Sequence, residues 1–196
     1  MADSPHERRF SEEDSIAFGF YSLLETAKGD GYLGALLVTD SEGVPGEFRV
    51  TYPVKPNLVQ RQLYGDSLVP HIGVELCGVP LVEALGTEIA LLLVDSMDLL
   101  ALAERVSIPV VYVARPGESI SVEGETEREG ERELLYPSFE GFDPIQVVYP
   151  PSIADTRKAE VFTLLQHLSQ RVDAAEPFDR IHVAVKELAD MEKRFA

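Results

Sequence analysis

Two short runs without a single polar atom in their aliphatic side chains constrain this chain most. Ile89 to Val94 reads Ile-Ala-Leu-Leu-Leu-Val, and Val110 to Val113 reads Val-Val-Tyr-Val. Neither alternates, so neither has a wet face. A strand that is apolar on both faces belongs inside a sheet covered on both sides, which is the habit of parallel strands. Asp95 ends the first run, Ser96 caps a helix expected over Met97 to Val106, and Pro109 breaks that helix before the second run. Strand, short helix and strand therefore form a parallel pair.

The opening third reads differently. Ile16 to Leu24 and Tyr32 to Thr39 are strands separated by the turn signal Lys28-Gly29-Asp30-Gly31. After a loop, Phe48, Val50 and Tyr52 alternate with Arg49 and Thr51, the period of a strand with one exposed face. These three make an antiparallel meander. Asn57 caps a helix carrying Leu58, Val59, Leu63 and Tyr64, and Gly65, Pro70, Gly73, Gly78 and Pro80 punctuate broken helix beyond it. Leu134 to Phe139 and Ile145 to Tyr149 add two strands. Two amphipathic helices close the chain, with stripes Val161, Leu164, Leu165, Leu168, Val172 and Ile181, Ala184, Val185, Leu188.

The expected fold class is α/β: a mixed sheet with an N-terminal meander, a strand-helix-strand unit and two C-terminal helices. Over roughly residues 15 to 115 this order resembles the ribonuclease-H-like architecture. That resemblance rests on element order and implies fold alone. One domain over 15–196 is expected, with a mobile tail over 1–14 and an acidic insertion loop over 117–133. The insertion holds seven glutamates, six of them on alternate positions from Glu123 to Glu133, and has no apolar face.

The net charge is −17, from 34 acids against 17 bases. Such a chain repels phosphate backbones, so nucleic-acid binding by the whole chain is disfavoured. The single cysteine, Cys77, sits among apolar neighbours and reads as a buried, inert thiol. The N-terminal residues carry no apolar signal segment and no run is long enough to span a bilayer, so a cytoplasmic location and no membrane partner are expected.

Three constellations carry chemistry. Gly65-Asp66-Ser67-Leu68 resembles the first block of the GDSL ester hydrolases, and Asp179-Arg180-Ile181-His182 has the spacing of their Asp-x-x-His block. The resemblance implies Ser67 as nucleophile, His182 as base and Asp179 as the group that orients the ring. Three features depart from that family: helix-like sequence leads into the block, Asp179 and His182 read as helix residues after Pro177, and the only asparagine in the chain is Asn57, so the oxyanion-hole asparagine is missing. In a ribonuclease-H-like sheet the first and fourth strands are parallel neighbours, which brings Glu25 and Asp95 to one edge. Carboxylates there can hold Mg²⁺ for phosphodiester cleavage, but Ile16 to Leu24 contains no acid. The four histidines have no ligand spacing, and no zinc, nucleotide-binding loop or other cofactor is expected.

The third constellation is electrostatic. Phe48 to Gly65 carries Arg49, Lys55 and Arg61 and no acid. With Tyr64 these bases suit a surface for an acidic protein partner or for self-association. Because no catalytic set is complete, the leading expectation is a non-catalytic, protein-binding or regulatory subunit of a cytosolic assembly. The alternative is an enzyme, either a serine ester hydrolase through Ser67 or a metal-dependent nuclease through Glu25 and Asp95. A sensor with a small-ligand pocket near Asp95 is a third class.

Overall fold

The apolar runs are central strands, and their side chains divide by parity between two cores. The computed structural model describes residues 16–116, 131–137 and 141–191. Strands β1 (Phe18–Glu25), β2 (Tyr32–Thr39), β3 (Pro45–Val50), β4 (Leu91–Val94), β5 (Val110–Ala114), β6 (Glu131–Leu135) and β7 (Ile145–Tyr149) form one sheet. Its order is β3-β2-β1-β4-β5-β7-β6. β1 and β4 are parallel, as are β4 and β5, and the other neighbours are antiparallel.

Leu91 and Leu93 point into one core, Leu92 and Val94 into the other. Each of these leucines is fully buried, which stabilises by about 1.5–3 kcal/mol per side chain. The first core is closed by helices α4 (Asp155–Ser169) and α5 (Glu176–Met191), through Val161, Leu165, Leu168, Phe178, Ile181 and Val185. Phe20 meets Phe178 edge to face at 5.6 Å.

The second core is closed by a helical rod between β3 and β4. The rod runs through α1 (Leu58–Tyr64), a 3-10 turn (Gly65–Ser67), α2 (Leu68–His71), a π-helical segment (Ile72–Gly78) and α3 (Val79–Glu83). Asn57 caps it through a reciprocal capping box with Gln60. The expected α-helix after Asp95 is a 3-10 helix over Met97–Glu104, and Ser96 Oγ accepts from the Asp98 N–H at 3.3 Å.

Three local expectations change. β3 is an edge strand that ends at Val50, and the expected inward row is not buried: Phe48, within it, is 38 % exposed and Tyr52, beyond it, 68 %. α1 buries none of its residues, and Leu58, Val59 and Leu63 face solvent. The last positions of the acidic segment are sheet, with Arg132 paired to Val148 and Glu133 to Val147. Its other residues, and the tail over 1–14, lie outside the described residues. Cys77 is buried, and burial pushes its thiol pKa up. Among the described residues no helix is long and apolar enough to cross a membrane.

Candidate active site

Parallel β1 and β4 end together. Tyr21 pairs with Val94, so Ser22 and Asp95 come level at the next position. By parity both face the α5 side of the sheet. Ser22, fully buried, donates its hydroxyl to Asp95 Oδ2 at 2.6 Å. α5 packs on that face through Phe178, Ile181 and Val185, which leaves His182 at the rim. His182 Nε2 stands 3.5 Å from the same Asp95 oxygen. The hydrogen bond to Asp95 raises the His182 pKa above its ordinary value; partial burial opposes this, and the charges of Asp95 and Asp179 add to it.

Arg115, immediately after β5, extends the rim. Its guanidinium is 2.8 Å from Asp173 and 3.8 Å from Asp179. On the opposite face Tyr21 donates to the Gly73 carbonyl at 2.6 Å, inside the π-helical segment. The rim thus offers a carboxylate with an imidazole leaning on it at the carboxyl ends of parallel strands, the customary place for a ligand in an open α/β sheet.

The structure does not bring Ser67 to His182. Ser67 lies on an exposed turn and donates to the Tyr64 carbonyl at 2.7 Å. It belongs to the rod that covers the second core, whereas His182 lies on α5, which covers the first. Asp179 does neighbour His182 but faces Arg115. Glu25, the exposed last residue of β1, is three positions beyond Ser22, so strand alternation turns it away from Asp95. Among the described residues no group of three or more His, Cys, Asp or Glu comes together to hold a metal ion. Among the described residues the rim therefore presents Asp95 with Ser22 and His182 rather than a cluster of carboxylates.

Two of the three bases in the basic stretch pair with acids outside it, and the third bonds to a backbone carbonyl. Arg49 pairs with Glu47, whose carboxylate also receives the N–H groups of Gly86 and Thr87. Lys55 pairs with Asp30 at 3.1 Å, and Arg61 donates to the Asp30 carbonyl. Tyr64 stacks on His71 at 4.9 Å. A groove of about 690 Å³ runs along the 3-10 helix, lined by Asp66, Ser67, Met97, Asp98 and Leu100, and Asp95 is not in its wall. Ser22 and Arg115 carry the site without having been singled out in the sequence. Ser22 had one signal: it is the only small polar residue between Phe18 and Leu24.

A meander, two parallel neighbours and helices on both faces make this a ribonuclease-H-like α/β fold. The solved structures it resembles include endonuclease V from Ciona intestinalis in complex with a 23mer DNA containing an inosine followed by a ribo-adenosine: TM-score 0.56, 15% identity, 94% of this chain and 90% of that one. Human ENDOV matches with a TM-score of 0.57 and 14% identity over 88% of this chain and 83% of that one. Endonuclease V from Streptomyces avermitilis matches with a TM-score of 0.55 and 15% identity over 91% and 83%. No family model and no curated protein matches the chain.

These neighbours overturn two expectations. The expectation of a non-catalytic, protein-binding or regulatory subunit is contradicted by these neighbours, which are endonuclease V structures; the enzyme alternative agrees with them better. The preference for an acidic protein partner or self-association over nucleic acid is likewise corrected, since endonuclease V of this fold is seen bound to DNA. Total charge is a whole-chain quantity, whereas contacts are made locally, within about 8–10 Å at ordinary ionic strength.

Proposed function

We propose that the chain is a nucleic-acid-directed phosphodiester hydrolase acting at the Asp95–His182 rim. The observation that carries the reading is the pairing of His182 Nε2 with Asp95 Oδ2 at 3.5 Å, at the carboxyl ends of β1 and β4. The endonuclease V likeness supports the class of substrate. With Nε2 turned to Asp95, Nδ1 of the half-exposed ring is the nitrogen left for substrate. Asp95 fixes the tautomer and stabilises the imidazolium that forms when Nδ1 takes a proton from an attacking water, a proton the ring then returns to solvent. The attacking oxygen forms its bond to phosphorus as the bond to the leaving oxygen breaks, and the leaving oxygen takes its proton from solvent.

The test is cleavage of end-labelled DNA and RNA 23mers, single- and double-stranded, with and without inosine. His182→Asn and Asp95→Asn should each lower the rate by about 10²–10⁴-fold, the usual yield of acid–base catalysis. Failure of the native chain to cut any polymer, or native rates in both variants, would sink the reading.

A further inference from the structure

Two donors converge on one oxygen at this rim, and they come from opposite sides. Asp95 Oδ2 receives the Ser22 hydroxyl at 2.6 Å from the sheet interior and faces His182 Nε2 at 3.5 Å from the solvent side. The inner donor is fully enclosed on the central strand β1, and its short side chain has little freedom to lose. The outer donor is 54 % exposed on a helix surface. Asp95 itself sits where β4 gives way to the turn into the 3-10 helix, so its backbone restrains its carboxylate less than a strand interior would. The tighter contact therefore sets the position of Oδ2, and the looser one follows it.

We propose that Ser22 is a positioning residue: its hydroxyl anchors Asp95 Oδ2 so that His182 has a fixed acceptor. This rests on the reading of His182 as the working group of the site, but the coupling itself is measurable without any substrate. Among the described residues the charged groups acting on His182 are Asp95, just after β4, and Asp179 from its own helix, which lies 3.8 Å from Arg115. Tyr21 on β1 is turned to the other face and bonded to Gly73. Of these groups only Asp95 is bonded to Ser22, so a change in His182 titration in a Ser22 variant reports the Asp95 contact.

The experiment is an NMR pH titration of the His182 ring in the full chain, with the resonance assigned by its loss in His182→Asn. Ser22→Ala should lower the proton affinity of His182 by about threefold or more, toward the ordinary histidine value near 6.5. Ser22→Thr, which keeps a hydroxyl on a strand, should restore it. In an Asp95→Asn background, Ser22→Ala should add nothing. Should Ser22→Ala fail to fold, the near-isosteric Ser22→Cys, a weak donor, makes the same test. A native His182 midpoint in Ser22→Ala or Ser22→Cys overturns the proposal, as does an undiminished effect without Asp95. If the titration behaves as expected while no polymer is cut, the nuclease reading fails and the positioning role stands.

Discussion

Replacing Ser22 by aspartate puts a second carboxylate against Asp95 and tests whether the two strand ends meet as described. The Ser22 Oγ to Asp95 Oδ2 distance is 2.6 Å, so two carboxylate groups there have charge centres about 4 Å apart. At an effective dielectric near 20, two like charges at that distance repel by about 4 kcal/mol. The site escapes by protonating one carboxyl. Holding an aspartate of ordinary pKa near 3.9 protonated at pH 7 costs about 4 kcal/mol, so both routes give the same ceiling. The sign follows from the raised folded-state pKa: the variant binds more protons folded than unfolded, so its deficit is small below about pH 4 and grows toward pH 7. For a chain of this size about 4 kcal/mol corresponds to a fall in melting temperature on the order of 10 °C. A divalent cation neutralises the pair. At a concentration 100 times its Kd it should restore about 2.7 kcal/mol, while the native chain, with Asp95 alone, should gain far less. The assay is thermal melting at pH 4 and pH 7, with and without Mg²⁺ or Mn²⁺. Native-like melting of the variant at both pH values, with no cation effect, would refute the adjacency of Ser22 and Asp95.

Tyr21→Phe removes the buried 2.6 Å bond to the Gly73 carbonyl and should cost about 1 kcal/mol, seen as a lower urea midpoint with an unchanged slope. His182→Asn should destabilise only in acid: because the folded pKa of His182 is raised, its contribution is complete below about pH 6.5 and is lost as pH rises through the folded value. With the ring 54 % exposed, that contribution stays under about 1 kcal/mol, and melts at pH 5.5 and pH 8.5 read it as a difference present only at the lower pH.

The sheet was legible because its central strands are enclosed on both faces. Burial forces an unbroken apolar sequence, as in Leu91-Leu92-Leu93-Val94. The rod between β3 and β4 was not, because its glycines and prolines imitate stops. Gly65 does end α1, at φ 52°, but the helix resumes at once in a different hydrogen-bond pitch. Pro70 and Pro80 fall in the first turns of α2 and α3, where no intrahelical N–H is required of them. Gly73 and Gly78 serve contact rather than turning: a Cβ on either would come within 2.5 and 2.8 Å of Leu99 and Leu102. Asp95 was legible as a strand-end carboxylate. Its partners were not, because element order brings β1 beside β4 but the register that sets Ser22 level with Asp95 appears only in the folded sheet. The structure answers Asp95 with the hydroxyl of Ser22 and the imidazole of His182.

The Gly65-Asp66-Ser67-Leu68 block and the Asp179–His182 spacing show how far a motif is from a site. Both are present in sequence, but catalysis needs its groups on one side of the sheet. Ser67 is fixed by the rod over one core, while His182 belongs to the helix over the other and is held at Asp95. The same two-layer construction makes the strand-end rim the meeting place. There β1, β4, β5 and α5 each place a polar side chain within reach of a neighbour: Ser22, Asp95, Arg115 and His182. The excess of carboxylates elsewhere acts over distances that salt screens, so a charge of −17 weakens long-range attraction of a polyanion without deciding what the rim can hold.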